Sequence, residues 1–486
     1  MKLTQKIALN SSVQAARQVF LAIAGIVSVG VATRYLSVDQ YGAILAALIL
    51  LSLVSVATDF GISAMTARAM AREPENEIAI QSSAFWVWVA FTVPTALAIL
   101  LISQIAYPGP GNATTRDAVL ILMVTFPLTP FAGVANVRAV SDQRVWVMSV
   151  ASIIARGLAL IAIILAAALD LGPMGITAAF ASGFVLEQAF GILFMRPKIE
   201  FSVGLHRARI WSLVAAAVPL GAVMVINGLY FRLDAFLISV LGSDRDLAVY
   251  GVAYKAFESL LVFPEFVMIT LIPVLARLHF SEARFQELVQ KAFTAMNILV
   301  LPVIGFSLLG RPAMVALAGP KYAGGGLVLG LIMCSVAIAC IQGVFGNALV
   351  TQGRQGALLR VSVSVLIANA LVNFAAIPRF GDRGAAGALL LTEALSLALT
   401  LGVYHRFAPL PRVHMPVRML LALAALVAVA VACVAVSGST VGMAVAVVAG
   451  LIAYASALVL LRALPAYVSE PIAGMLRSLR PGGRTA

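Results

Sequence analysis

Charged side chains interrupt an otherwise apolar stretch between residues 230 and 277. The five that fall within the candidate spans of this stretch are Arg232, Asp234, Lys255, Glu258 and Glu265. A lone charge near the middle of a bilayer costs roughly 2.5 to 3.5 kcal/mol on insertion scales. If these segments cross a membrane, the five charges must be paired with each other, hydrated or in contact with a polar cargo. This stretch is therefore the first place to look for a function.

The composition indicates a membrane protein. Hydrophobic residues make up 62% of the 486-residue chain, charged residues only 11%, and the mean hydropathy is +1.03. Soluble domains are closer to half apolar and about a quarter charged. The apolar runs reach about 20 residues, the length of a membrane-spanning helix, whereas a barrel would show short alternating strands. We therefore predict an all-α, multi-pass membrane protein.

Fourteen candidate spans are bounded by charges, prolines and glycines. They cover residues 12–33, 42–63, 81–103, 117–137, 146–169, 174–195, 210–241, 247–276, 289–309, 325–350, 357–377, 384–404, 416–436 and 441–463. Placing the amino terminus inside puts most of the 33 Lys and Arg residues in cytoplasmic segments. The positive-inside rule then predicts that both termini are cytoplasmic.

The remaining features argue against an enzyme and against a nucleic-acid-binding protein. The three cysteines and four histidines show no metal or redox spacing, and no loop is long enough to fold as a soluble domain. The net charge of +13 comes from cations scattered singly at span ends and not from a basic surface. We predict no catalytic residue, no metal site, no cofactor and no nucleic-acid partner.

The chain contains an internal repeat. Tyr41-Gly42 recurs as Tyr250-Gly251, and further matches follow in the same order with nearly the same spacing, ending with Glu187 and Glu393. Six spans lie between repeats, so both copies enter the membrane in the same orientation, as parallel repeats. We predict a lobe over 1–205, a second lobe over 206–415, two additional helices over 416–463 and a cytoplasmic tail over 464–486.

Charges of the first lobe can be matched by their depth in the membrane. Arg156 and Glu187 lie at similar mid-membrane depth, and Arg17 and Asp59 both lie in the inner half. Two interpretations stay open at this point. The pairs are structural bonds between helices, or one member of each faces a wet cleft and binds an anionic substrate.

In the second lobe, Lys255 and Glu258 are three residues apart and share a helix face. Arg232 and Asp234 are two apart and cannot face the same way, so Asp234 is assigned a structural role. Glu265 is a candidate coupling-ion site or a partner of Arg277. For Glu393 the expected partners are the amides Asn369 and Asn373.

These assignments define two sets of site residues. The candidate substrate-binding residues are Arg17, Arg156, Arg232 and Lys255. The candidate coupling or structural charges are Asp59, Glu187, Asp234, Glu258, Glu265 and Glu393. A coupling ion, proton or sodium, is left open.

Several segments resemble one known family, the polysaccharide and O-antigen exporters (Wzx-like flippases) of the multidrug/oligosaccharidyl-lipid/polysaccharide (MOP) superfamily. The segments are RYLSVDQYG from Arg34, DFGIS from Asp59, FRLDAFLISVLGSDRDLAVYGVAYK ending at Lys255, LAGPKY from Leu317, GNALVTQGRQ from Gly346 and IPRFGDRGAAGA from Ile377. In this order they extend over most of the chain.

The resemblance implies a V-shaped, two-lobed MATE-like fold in the bacterial inner membrane. It implies that the protein moves a polyprenyl-diphosphate-linked oligosaccharide to the outer leaflet by alternating access, for surface or exopolysaccharide biosynthesis. Arg17, Arg156 and Lys255 would suit a cationic lumen. Membrane lipids, a polysaccharide polymerase and export proteins are the implied partners.

Three alternative functions stay open. A lipid II flippase would share the spans and the charges. A cation-coupled multidrug antiporter of the same superfamily would use Asp59 and Glu187 as its cation site, although the buried arginines favour an anionic cargo. A membrane scaffold without transport activity would leave every buried charge structural.

Overall fold

The computed structural model describes residues 3–196, 207–230, 232–261, 268, 271–412, 417–436 and 440–463. In these residues the regular elements are α-helices and short 3-10 turns. The helices are α1 (Leu3–Tyr35), α2 (Val38–Asp59), α3 (Ile62–Arg72), α4 (Glu77–Ala106), α5 (Ala113–Leu122), α6 (Thr129–Ser141), α7 (Val145–Ala168), α8 (Gly172–Met195), α9 (Arg207–Tyr230), α10 (Leu233–Leu241), α11 (Asp244–Leu260), α12 (Ala283–Ser307), α13 (Gly310–Ala318), α14 (Gly326–Thr351), α15 (Gln355–His405), α16 (Val417–Val436) and α17 (Thr440–Leu460).

The predicted class, an all-α multi-pass membrane protein, is confirmed. The described residues contain 12 helical segments long and apolar enough to cross a membrane. One of them, α15, folds back on itself at Gly381, where the backbone is not helical. Its two halves then lie side by side, and the Asn369 amide of the first donates to the Thr392 hydroxyl of the second at 3.3 Å. This segment therefore holds two of the predicted spans. The predicted span 247–276 lies partly outside the described residues, so the count of fourteen is not confirmed.

The two copies of the predicted repeat start their second helices in the same way. The Ser37 hydroxyl caps α2 by accepting from the backbone N–H of Gln40, while the side-chain oxygen of Gln40 accepts from the backbone N–H of Ser37. Ser243 and Asp246 form the same reciprocal pair at the start of α11. Such a capping box satisfies backbone N–H groups that a helix start leaves unpaired. Both helices consequently begin at a defined residue.

Glycines of the repeated Tyr-Gly pairs allow α2 and α11 to pack closely. A β-carbon at Gly42 would overlap the backbone of Asp244, and one at Gly251 would overlap the Leu45 side chain. The tyrosines that precede these glycines, Tyr41 and Tyr250, are both buried. The repeated residues therefore lie at a contact between the two predicted lobes.

Helices α9 and α10 belong to one predicted span but pack in different places. Helix α9 contacts α2, α3 and α4, with Gly228 against Val56 and Arg209 3.7 Å from the Glu73 carboxylate. Helix α10 packs mainly on α15. The chain changes direction next to Arg232, whose φ of −132° and ψ of −9° are not helical. The span is therefore broken at this point.

The last two helices, α16 and α17, pack on each other and on α12 and α13. Met419, Leu426 and Leu301 share one apolar cluster, and the Tyr454 hydroxyl donates to the Ile298 carbonyl at 3.0 Å. The predicted boundaries at 205/206, 415/416 and 463/464 stay predictions. Those at 205/206 and 415/416 and the tail 464–486 lie outside the described residues.

Candidate functional site

A cavity of about 430 Å³ lies between α1, α2, α7, α8, α10 and α11. Its walls are mostly apolar and aromatic. Its charged lining residues are Arg156, Arg232, Lys255 and Glu258. Three of the four predicted substrate-binding cations, spaced widely along the sequence, are therefore brought together at one site. We refer to it as the central cavity.

Arg156 is held in the cavity wall by an acid and an aromatic ring. Its guanidinium lies 3.3 Å from the Glu187 carboxylate of α8, which confirms the pair predicted from depth, and 4.3 Å from the centre of the Phe184 ring. The Ser152 hydroxyl also donates to Glu187, at 2.6 Å. These contacts fix the side chain, and about 29% of it stays exposed toward the cavity.

The predicted pair of Arg17 with Asp59 is wrong. Arg17 lies 3.7 Å from Glu187 instead, because α1 packs along α7. Asp59, the last residue of α2, accepts hydrogen bonds from Ser63 and from the Trp88 indole at 3.4 Å. Equal depth does not show which helices are neighbours. Arg17 does not line the central cavity but lies one helical turn before Leu21, which does.

One carboxylate therefore serves two guanidinium groups. Glu187 is shared between Arg17 and Arg156, so this cluster keeps a net positive charge. A single acid that neutralises only one of two cations leaves the other available to an anion. The arrangement favours an anionic cargo over a cationic one at this wall.

Lys255 and Glu258 form the ion pair that their spacing predicts. The Lys255 ammonium lies 2.9 Å from the Glu258 carboxylate, and both side chains are more than a third exposed. Gly25 of α1 faces this lysine, since a β-carbon there would lie 2.8 Å from Lys255 Cε. The ammonium group is thus held between α1 and α11 and still reaches the cavity.

Arg232 and Asp234 point in different directions, as their spacing predicts. Arg232 lines the cavity and donates to the Ser52 hydroxyl at 2.9 Å. Asp234 is 2% exposed and accepts from the Tyr250 hydroxyl and from the Ala235 amide. Asp234 thus joins the start of α10 to α11, which agrees with the structural role predicted for it.

Glu393 has a different partner from the predicted one. The Tyr230 hydroxyl donates to its carboxylate at 2.9 Å, whereas Asn369 bonds Thr392 and Asn373 bonds Asn369. Tyr230 was missed because the break between α9 and α10, which brings the end of α9 onto α15, has no local sequence signal. Glu265, the remaining predicted site residue, lies outside the described residues.

Within the described ranges, no group of three or more His, Cys, Asp and Glu side chains fits a metal ion. The central cavity instead combines positive charge with apolar walls. Arginine offers a planar fork that matches phosphate oxygens, and lysine offers a compact point charge. This donor set can hold a phosphorylated or otherwise anionic group.

Comparisons with known proteins agree with this description. A family model described as "Polysaccharide biosynthesis protein" matches residues 31–324. This range includes every cation that lines the central cavity. No curated protein sequence matches the chain.

Several solved structures share the fold. The lipid II flippase MurJ in an inward closed conformation has a TM-score of 0.74 at 11% sequence identity, covering 94% of this chain and 99% of its own. An inward-facing multidrug resistance MATE family transporter of the MOP superfamily has a TM-score of 0.63 at 13% identity, covering 80% and 94%. A mutant of the Vibrio cholerae MATE transporter VcmN has a TM-score of 0.53 at 14% identity, covering 82% and 98%.

Proposed function

The chain belongs to the polysaccharide biosynthesis protein family, and from this premise we propose that it is a transporter of lipid-linked oligosaccharides. The cargo is a polyprenyl-diphosphate-linked oligosaccharide. The protein moves it from the cytoplasmic to the periplasmic leaflet by alternating access, in support of surface or exopolysaccharide biosynthesis. The MOP-type fold, which MATE transporters share, supports transport as the activity.

The observation that carries the proposal is the convergence of Arg156, Arg232 and Lys255 on one cavity with apolar walls. A diphosphate group has several negative charges and acceptor oxygens, which charged donors bind more strongly than neutral ones. The cavity volume of about 430 Å³ has room for a diphosphate with the sugars next to it and not for a long lipid chain. The polyprenyl tail therefore stays in the bilayer during transfer.

A transport assay tests the proposal directly. The purified full-length protein is reconstituted in liposomes that contain a fluorescent polyprenyl-diphosphate-linked oligosaccharide, and its arrival in the opposite leaflet is measured with an impermeant quencher. The wild type should accelerate transfer, and a variant with Arg156→Gln and Lys255→Gln should not. Equal transfer by both proteins would overturn the role of the central cavity.

A lipid II flippase is the second candidate, favoured by the extent of the fold shared with MurJ. Lipid II has the same diphosphate and differs in its sugars, and the cations of the central cavity do not distinguish the two cargoes. Direct transfer of each lipid does. Fluorescent lipid II should cross more slowly than the fluorescent oligosaccharide lipid in the same liposomes, and faster transfer of lipid II would assign the peptidoglycan precursor instead.

The site favours an anionic cargo over a cationic drug. Glu187, one of the two acids expected to serve a drug and cation antiporter, is engaged by Arg17, Arg156 and Ser152. Asp59, the other, bonds Ser63 and Trp88. Cation-driven efflux of a fluorescent cationic drug from the same liposomes would reverse this assignment. A protein that supported neither transport assay would fit the scaffold alternative.

A coupling ion is part of the proposal. Two buried acids, Asp234 and Glu393, lie on α10 and α15, which pack together, and each accepts from a tyrosine. The Asn373 side-chain oxygen nearby on α15 has no hydrogen-bond partner among the described residues. Proton or sodium gradients applied to the liposomes should accelerate transfer, and Glu393→Gln should remove that dependence. Glu287→Gln, which alters a more exposed acid paired with Lys291, is the control.

We further propose that the protein resides in the bacterial inner membrane with both termini cytoplasmic. A polysaccharide polymerase and export proteins are the proposed partners in addition to membrane lipids. Reporter fusions at each terminus test the orientation, and co-purification from membranes tests the partners. If a reporter that works only in the periplasm is active when fused to either terminus, the proposed orientation is contradicted.

A further inference from the structure

A second cavity, of about 460 Å³, lies at the end of the bundle where α1 ends and α2 begins. The start of α11, the 3-10 turn Pro320–Gly325 and the turn of α15 at Gly381 form its walls. In the predicted orientation this end faces the periplasm, and we call the cavity the outer pocket. Its charged lining residues are Arg245, Asp246, Lys321, Arg379, Asp382 and Arg383.

The two acids of the outer pocket are already used to hold the backbone. Asp246 accepts from the amide and the hydroxyl of Ser243, at 3.1 and 2.6 Å, and caps α11. Asp382 accepts from the Arg383 amide at 2.8 Å, within the turn of α15. These carboxylates therefore stabilise the local chain.

The arginines of the pocket are neutralised in part at longer range, since Asp382 interacts electrostatically with Arg245 and Arg383. Arg379 donates to the Ala375 carbonyl at 2.9 Å. No ion pair within 4 Å among the described residues involves Arg245, Arg379 or Arg383. Four cations around two acids give the pocket a net positive charge. Like charges that surround one cavity repel each other, and an anion bound between them would remove that repulsion.

Lys321 links the outer pocket to the end of α1. Its ammonium donates to the carbonyls of Leu36 at 2.9 Å and Arg34 at 3.3 Å. Arg34 in turn donates to the carbonyls of Ala316 and Leu317, at 2.7 and 3.0 Å. A charged acceptor binds an ammonium group more strongly than a neutral carbonyl does. An ammonium group has three N–H donors, so Lys321 can keep both carbonyl bonds and offer its third N–H to an anion in the pocket.

We propose that the outer pocket binds the phosphate groups of the cargo after they leave the central cavity. The inference rests on the proposed function, because the cargo's diphosphate is taken from it. It adds a second anion site, separate from Arg156, Arg232 and Lys255. The site would let the headgroup leave one cluster of cations for another.

Binding of inorganic pyrophosphate tests the site. The full-length protein is placed in nanodiscs of neutral phosphatidylcholine and titrated by calorimetry at physiological salt. Charge-assisted hydrogen bonds are each worth about 1.5 to 3 kcal/mol, so the double variant Arg245→Gln/Arg383→Gln should bind at least about tenfold more weakly at one site. Arg311→Gln removes an exposed cation that does not line the pocket and should change affinity less than about twofold.

Gly324 supplies a matched pair of variants within the pocket. A β-carbon there would meet no atom within 4 Å. Gly324→Glu and Gly324→Gln add the same bulk, and only the glutamate adds a negative charge. The glutamate should weaken pyrophosphate binding several-fold more than the glutamine. Equal effects of the two would show that the pocket's charge is not what binds the anion, and would overturn the proposal.

Two further measurements distinguish cargo phosphate from bilayer headgroups, and the outer pocket from the central cavity. Nanodiscs with phosphatidylglycerol should leave pyrophosphate affinity unchanged, and a loss confined to proteins with an intact outer pocket would assign the pocket to bilayer headgroups instead.

The variant Arg156→Gln/Lys255→Gln should retain pyrophosphate binding at the outer pocket. If Arg245→Gln/Arg383→Gln binds like the wild type, the outer site is wrong although transport through the central cavity stands. If Arg156→Gln/Lys255→Gln transports normally, the central assignment fails while the outer titration stays interpretable.

Discussion

Gly42 of α2 lies so close to Asp244 of α11 that a β-carbon at position 42 would overlap the Asp244 carbonyl group. Gly251 makes the related contact with Leu45, and both of these residues line the central cavity. The two contacts join the halves of the predicted repeat at the end of the bundle where α1 ends. This end is therefore closed in the structure.

Gly42→Ala should open this closed end. The added methyl group meets backbone atoms that cannot move aside easily, and overpacking of this kind costs about 1 to 3 kcal/mol. A cysteine at the cavity residue Ser28, in a background without native cysteines, should react faster with an impermeant thiol reagent added from outside. Gly111→Ala is the control, since a β-carbon there meets nothing within 4 Å. Equal labelling rates for the two variants would contradict the assignment.

Arg156→Ala should lower surface polysaccharide by about tenfold while protein abundance stays near normal, because it removes one charge-assisted contact to the cargo. Glu187 keeps Arg17 and Ser152 as partners, so the variant should still fold. Arg156→Lys keeps the charge and should retain part of the output. The measurement is polysaccharide per cell in a complemented deletion strain. Normal output would exclude Arg156 from the cargo path, and loss of the folded protein would favour a structural pair.

The two members of the Lys255–Glu258 pair should behave differently if the lysine binds cargo. Lys255→Ala should reduce transfer in liposomes strongly. Glu258→Gln should leave transfer equal to or above the wild-type rate, because it removes a negative charge that competes for the ammonium group. A purely structural ion pair would predict similar losses for both variants. Transfer rates at several salt concentrations provide the comparison.

Gly381→Ala should destabilise the folded protein. Gly381 has a φ of +55° and a ψ of −129°, a combination open essentially to glycine, and a β-carbon would lie 2.6 Å from an Asp246 carboxylate oxygen. We expect a cost of at least about 1 kcal/mol and a lower Tm in detergent. Gly387→Ala is the matched control within α15, because its β-carbon meets nothing within 4 Å. Alanine favours helix there, so its Tm should be unchanged or higher. Identical Tm values for the two variants would contradict the need for glycine at position 381.

Much of the fold was predictable because membrane helices have a strong sequence signal. Long apolar runs predicted the helices, and depth along them predicted that Arg156 and Glu187 are partners. The spacing of Lys255 and Glu258 predicted their ion pair, since residues three apart share a helix face. The sequence also indicated three cations that converge on the central cavity, but not that Arg17 lies outside its lining.

The errors have a common physical origin. Depth and spacing describe one helix at a time and do not show which helices touch. Arg17 was matched to Asp59 by depth, yet the packing of α1 on α7 brings it to Glu187. The partner of Glu393 depends on a break in the chain beside Arg232, and neither Arg232 nor the residue on either side of it is a proline or a glycine. Such breaks follow from tertiary packing and not from local preference.

The different packing of α9 and α10 has a consequence for Arg232. Helix α9 packs mainly on α2, α3 and α4 and touches α15 near its end through Tyr230, whereas α10 packs mainly on α15. Any rotation of these two groups of helices against each other must change the backbone beside Arg232, whose torsion angles are not helical. Arg232 is at this joint and also in the cavity wall. We expect a movement at this joint to shift the guanidinium away from Ser52, and so to change both the access to the cavity and the strength with which it holds an anion.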